Sequence, residues 1–184
     1  MYVFDATPLI YLGTVERLAL LADLPDECCT PRAVYDEVVT RGIEAGYPDA
    51  RRVERAVEND LLSVVSVAET PTYERLRRYE ELSPADVAVL ALADERRGSA
   101  VVDERYGRTV ADVEGIETRG TAYLVLLLLR DGVISADAAR ATIDELVDAG
   151  WYCAPDLYAK ILRRIETLAD RRAERGSERG AGER

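Results

Sequence analysis

At 184 residues, 48% of them hydrophobic, the chain is long enough for one globular domain with a real core, and no apolar run approaches the length needed to span a bilayer. It has 0 His and 3 Cys (Cys28, Cys29, Cys153) without C-x-x-C spacing. That removes the usual zinc sets and Ser-His or Cys-His nucleophile chemistry, so any metal would be held by oxygen, which favours Mg²⁺ or Mn²⁺. Net charge is −11 with a pI near 4.6, and Lys160 is the sole lysine among the 24 basic residues. This balance matches a salt-loving archaeon, or else an ordinary acidic protein of a GC-rich genome. An acidic surface normally argues against nucleic acid, but at molar salt counterion release contributes little and the argument weakens. No basic segment precedes an apolar stretch at the N-terminus, so a cytoplasmic location is expected.

Along the chain, strand and helix signals alternate. Tyr2 to Asp5 reads as a strand ending on a carboxylate. A helix follows at once, with Thr7 as N-cap and Pro8 as first helical residue, and a break at Gly13-Thr14. Glu27 to Thr30 reads as a short strand, and Thr30-Pro31 opens a helix to about Thr40. Gly42 to Pro48 reads as a loop, Asp49 to Glu58 as a helix, Leu61 to Val67 as a strand and Thr72 to Tyr79 as a helix. Ser83 opens a strong helix, Val87 to Arg96, and Ala100 to Asp103 is a second strand finishing on acid. Then come a helix from Arg105, a short strand at Ile116 to Thr118, and helices over Thr121 to Arg130, Ser135 to Ala149 and Asp156 to Leu168. Alternation of this kind implies a mainly parallel sheet covered by helices on both faces. Residues 1–168 form the expected domain, with Trp151 and Tyr152 at its core or at an interface edge. Residues 169–184, charged and without an apolar face, read as a frayed or disordered tail.

Open α/β sheets build sites at the carboxyl edge of their strands, which directs attention to the acids there. Asp5 and Asp103 each follow an apolar run; Asp103 alone would read as a helix cap. Glu104 is the alternative to Asp103, because strand alternation sends the two side chains opposite ways. Asp86 sits three residues after Ser83, a capping-box spacing, but on a nearly all-apolar and therefore buried helix. Glu37 borders the apolar stripe of Val34 and Val38, whereas Asp36 reads as outward-facing. Clustered carboxylates without a cation repel one another and raise each other's pKa, which a divalent ion relieves.

The segments Asp5-Ala6-Thr7-Pro8-Leu9-Ile10, Pro31 to Val38, Asp86 to Ala93 and Val102-Asp103-Glu104-Arg105 with Arg108 resemble the PIN-domain family, most nearly its VapC-like prokaryotic branch. Order and spacing match over residues 1 to roughly 160. The resemblance implies a three-layer α/β/α sandwich and Mg²⁺- or Mn²⁺-dependent cleavage of RNA. It implies that Asp5, Glu37, Asp86 and Asp103 are catalytic and that Asp5, Asp86, Asp103 and Glu104 face the metal. Thr7 would support Asp5, and Arg108 would contact phosphate or carboxylate. It further implies an antitoxin protein partner and a homodimer, which Leu12, Leu20 and Leu24 could serve, although core packing explains them equally well. The sequence departs from the family pattern at Ala6, where Ser or Thr is frequent, and at Ser-Pro-Ala-Asp, where Gly-Glu often stands.

Overall fold

The computed structural model describes residues 1–181, which divide into a compact unit Met1–Thr121 and a second unit from Ala122 onward. The first unit holds a five-stranded, wholly parallel sheet in the order β3-β2-β1-β4-β5. Its strands are β1 (Tyr2–Phe4), β2 (Cys28–Pro31), β3 (Ser63–Val65), β4 (Ser99–Val101) and β5 (Thr118–Arg119). Helices α1 (Ala6–Thr14), α2 (Arg32–Tyr35), α3 (Gly42–Glu44), α4 (Pro48–Glu58), α5 (Pro71–Leu76), α6 (Pro84–Glu95) and α7 (Arg105–Glu114) complete a three-layer α/β/α fold. Parallel strands need crossovers, and this order makes the chain move outward from β1 through β3, then return to lay β4 on the other side of β1. The chain therefore leaves β1 in opposite directions toward β2 and β4, the kind of switch point at whose carboxyl edge open α/β sheets build their sites.

Burial explains the central strands. Val3, Phe4, Ala100 and Val101 are fully enclosed, as expected of a sheet covered on both faces. Helix α6 packs on β1, β2 and β4, and every residue from Val87 to Ala93 is buried, so it is apolar all round rather than amphipathic. Helix α4 has the opposite character: charged, with only Ala50, Val53 and Ala56 buried.

Among the boundaries that differ from the sequence reading, two have a clear physical cause. Asp5, not Thr7, is the N-cap of α1, and Pro8 is the third helical residue. Any first-turn position spares proline its missing donor, because none of those N–H groups has an intrahelical partner. Secondly, the segment 42–48 is not all loop. Helix α2 passes through a π-helical turn (Asp36–Arg41) directly into α3. Gly42 does not break the helix there; a Cβ at that position would lie 2.7 Å from the Ala50 Cβ, so the glycine permits close packing with α4.

The second unit contains most of α8 (Thr121–Asp131), with α9 (Ala136–Asp148) and α10 (Pro155–Ala181). Helices α9 and α10 pack together, joined by a Tyr158 hydroxyl donating to Asp144 at 2.6 Å and an Arg140–Glu166 ion pair at 3.2 Å. Trp151 is buried and Tyr152 exposed. The chain stays helical beyond Leu168, where the tail was expected to start. Arg172 helps hold it, donating to the carbonyls of Gly132 and Ile134. Residues 182–184 of the expected tail lie outside the described residues. Among the described residues no helix is long and apolar enough to cross a membrane.

Candidate active site at the carboxyl edge

Asp5 is placed by both central strands. Its N–H donates to the Val101 carbonyl at 3.1 Å, tying the end of β1 to the end of β4, while the Thr30 hydroxyl donates to the Phe4 carbonyl at 2.9 Å. The side chain is 5% exposed. Burial is the main force on its carboxyl and pushes the pKa up to about 7; a hydrogen bond from the Ala6 N–H opposes this. Asp86, Glu104 and Glu37, from three separate elements, add repulsion in that order, so each is near enough to act electrostatically on the Asp5 carboxyl.

Asp86 arrives on the first turn of α6 and performs two tasks there. The Ser83 hydroxyl accepts from the Asp86 N–H at 3.1 Å, and Asp86 Oδ2 accepts from the Ser83 N–H at 2.8 Å, completing a capping box. The capping role weighed from the sequence is thus present together with proximity to Asp5. Glu37 is exposed and lies on the π-helical turn, a distortion of the kind that often accompanies functional sites. Glu104 is exposed at the N-cap position of α7.

Asp103 is held by Thr121. Its Oδ1 accepts from the Thr121 N–H at 2.8 Å and its Oδ2 from the Thr121 hydroxyl at 2.7 Å. The sequence reading groups Asp103 with Asp5; in the structure the Asp103 carboxylate accepts both donors of Thr121 at the start of α8, and Glu104 is among the acids that add repulsion to Asp5. Gly120 is part of this Asp103–Thr121 clamp, because a Cβ there would meet Asp103 Oδ1 at 3.1 Å and Arg108 Nη1 at 3.4 Å. Arg108 is exposed on α7, beside this clamp. Thr7 is half-buried, and among the described residues its hydroxyl makes no hydrogen bond to Asp5. Gly120 and Thr121 were missed as site residues; the only sequence signal was a Gly-Thr pair ahead of an apolar helix.

An all-carboxylate donor set with one buried, destabilised anion fits a hard divalent cation in kind. As the side chains stand, no three acids among the described residues are grouped to hold one. The fit therefore rests on the chemistry of Asp5, Asp86, Glu104 and Glu37 rather than on a preformed cage.

Comparison with curated proteins gave no match. The DUF3368 family model, described as a PIN domain, matches residues 1–167. PIN domains are generally nucleases. With nine-tenths of its length matched and a parallel sheet that carries acids to the carboxyl edge, the chain belongs to the PIN-domain family.

Proposed function

We propose that this protein is a divalent-metal-dependent endoribonuclease of the VapC-like branch, acting in the cytoplasm as the toxin of a toxin–antitoxin pair. The observation that carries the reading is Asp5: a buried carboxylate at the β1/β4 reversal, whose pKa burial raises and acids from three other segments raise further. A lone buried anion is costly, and shared coordination of a cation is the arrangement that offsets the cost.

In this reading Asp5, Asp86 and Glu104 hold Mg²⁺ or Mn²⁺, with Asp103 contributing indirectly by fixing the chain that presents Glu104. The chemistry supplied by such an ion, when bound, is neutralisation of the phosphoryl oxygens and a lowered pKa for water. Glu37, exposed at the rim, takes the proton of the attacking water. The water oxygen bonds to phosphorus, the P–O3′ bond breaks, and the leaving O3′ takes a proton from solvent, so the products carry 5′-phosphate and 3′-hydroxyl ends. Thr7 shapes the first turn behind Asp5, and Arg108 pairs with phosphate beside the clamp.

The partners are an RNA substrate, an antitoxin whose segment covers the acidic edge, and a second copy of the chain. Leu12 is buried within the unit, so Leu20 and Leu24, both half-buried, are the residues of that set available to a homodimer. The acid-rich, lysine-poor composition supports a halophilic setting. The test is cleavage of labelled RNA in molar KCl with Mn²⁺: the protein is expected to cut and Asp5→Asn to be inert, and equal behaviour of the two would overturn the reading.

One observation favours a second reading, that of a PIN-like scaffold without activity which binds protein or RNA: no three acids are grouped as a cage among the described residues. Such a scaffold would show no Mn²⁺-induced rise in melting temperature, whereas the nuclease is expected to show one.

A further inference from the structure

The sheet does not end evenly at the candidate site. On one side of β1 the pairing with β4 runs through Phe4 and Val101. Farther out on the other side, β2 and β3 stay paired through Pro31 and Val65. Between β1 and β2, however, pairing stops at Val3 and Cys29. A seam therefore opens on one side of β1 only, at the level of the residue before Asp5.

Proline accounts for the seam. In a parallel ladder a residue donates to the residue before its partner and accepts from the residue after it. Tyr2, paired with Cys28, donates in this way to the Glu27 carbonyl at 2.8 Å. The same register, carried along to Phe4, sets the Phe4 carbonyl against the backbone nitrogen of Pro31. Pro31 has no N–H to donate. Phe4 and Thr30 are both fully enclosed, where a carbonyl left without a donor is costly. The Thr30 hydroxyl supplies the missing donor at 2.9 Å.

Two consequences meet at Asp5. The peptide group that joins it to Phe4 is held from both sides. Its N–H reaches the Val101 carbonyl of β4 at 3.1 Å, and its carbonyl accepts from Thr30 of β2. Pro31 is also the N-cap of α2, whose continuation carries Glu37 on the π-helical turn. Just ahead of that helix, one hydroxyl ties the strand that ends on Asp5 to the segment that leads to Glu37.

We propose that Thr30 is a positioning residue for the metal-binding acids. Its hydroxyl stands in for the ladder donor that Pro31 lacks, and it fixes the Phe4–Asp5 peptide while the seam stays open. This rests on the nuclease reading of the acids and adds to it a residue that touches neither ion nor RNA.

The test is titration of the metal-free whole chain with Mn²⁺ in molar KCl, with free Mn²⁺ read by electron paramagnetic resonance. Thr30→Val keeps the shape, removes the donor and is expected to weaken Mn²⁺ binding roughly tenfold. Thr30→Ser keeps the donor and is expected to bind like the unmodified protein. Pro31→Ala restores an N–H opposite the Phe4 carbonyl, so adding it to Thr30→Val is expected to regain most of the lost affinity. Val53→Ala, a truncation of a buried residue on α4, is expected to lower the melting temperature and leave Mn²⁺ affinity unchanged, which separates positioning from general destabilisation. Unchanged affinity in Thr30→Val, an equal loss in Thr30→Ser, or a double variant no better than Thr30→Val would overturn the proposal. Amide exchange read by NMR makes the comparison without metal: the Asp5 N–H is expected to exchange about fivefold faster in Thr30→Val and at the unmodified rate in Thr30→Ser. If the unmodified protein bound no Mn²⁺, the metal-dependent reading would fall. Equal exchange rates in Thr30→Val and the unmodified chain would by themselves overturn the hold of Thr30 on Asp5.

Discussion

Replacing Asp5 by Asn tests the electrostatic core of the site without any substrate. The carboxyl pKa moves from 3.8 to about 7 on folding, so the folded protein holds this proton more tightly than the unfolded chain does. The associated stability is complete below pH 3.8 and is lost progressively as pH rises to about 7. A difference of about three pKa units corresponds to roughly 4 kcal/mol, a large part of the stability of a typical domain. Asn keeps the shape and the acceptor for the Ala6 N–H but never ionises. In EDTA, Asp5→Asn is therefore expected to match wild type near pH 4 and to exceed it by roughly 4 kcal/mol at pH 8, on the order of 10 °C in melting temperature. Urea and thermal unfolding of the two proteins side by side, read by circular dichroism across that pH range, measure the difference directly. Added Mn²⁺ is expected to raise the melting temperature of wild type and leave Asp5→Asn unmoved. A variant that is less stable than wild type at pH 8, or a difference that does not vary with pH, would refute the assignment of Asp5 as a destabilised buried anion.

Thr121→Val removes the hydroxyl that donates to Asp103 while keeping the backbone donor, and is expected to cost about 1.5–3 kcal/mol in urea unfolding, as for a hydrogen bond to a charged group. Ser83→Ala removes the hydroxyl that accepts from the Asp86 N–H and is expected to cost about 1 kcal/mol in urea unfolding, while the Mn²⁺-induced thermal shift is expected to persist because the Ser83 backbone N–H still donates to the Asp86 carboxylate. Cys28 and Cys29 are buried, and burial pushes their thiols up to about 12 and about 11. Both are expected to resist iodoacetamide at pH 8 until the protein is unfolded, as mass spectrometry of the labelled peptides would show.

The parts of the site that could be read from the sequence are those set by local rules. Asp5 stands out because an apolar strand ends on it just before a helix, and Ser83 with Asp86 announces a capping box by spacing alone. Glu37 was placed on a helix beside the buried stripe, although no local signal disclosed that the helix takes a π turn there. Gly42 misled because glycine usually marks a loop, and its reason, the Ala50 contact, belongs to tertiary packing. Asp103 has a partner that the local sequence did not disclose. Its fate is decided by Thr121, far along the chain, and a hydrogen-bond partner at such a separation leaves no periodic trace. Strand alternation, invoked to choose between Asp103 and Glu104, does not reach them, because β4 ends at Val101.

An anomalous difference map from a crystal soaked with Mn²⁺ in molar KCl addresses the shared-ion geometry most directly. The expected result is a peak touching the Asp5 carboxylate, with Asp86 and Glu104 turned toward it and Asp103 still bonded to Thr121. A map without density at Asp5, or with the ion held by acids that exclude it, would contradict the assignment of the carboxyl edge as the catalytic centre.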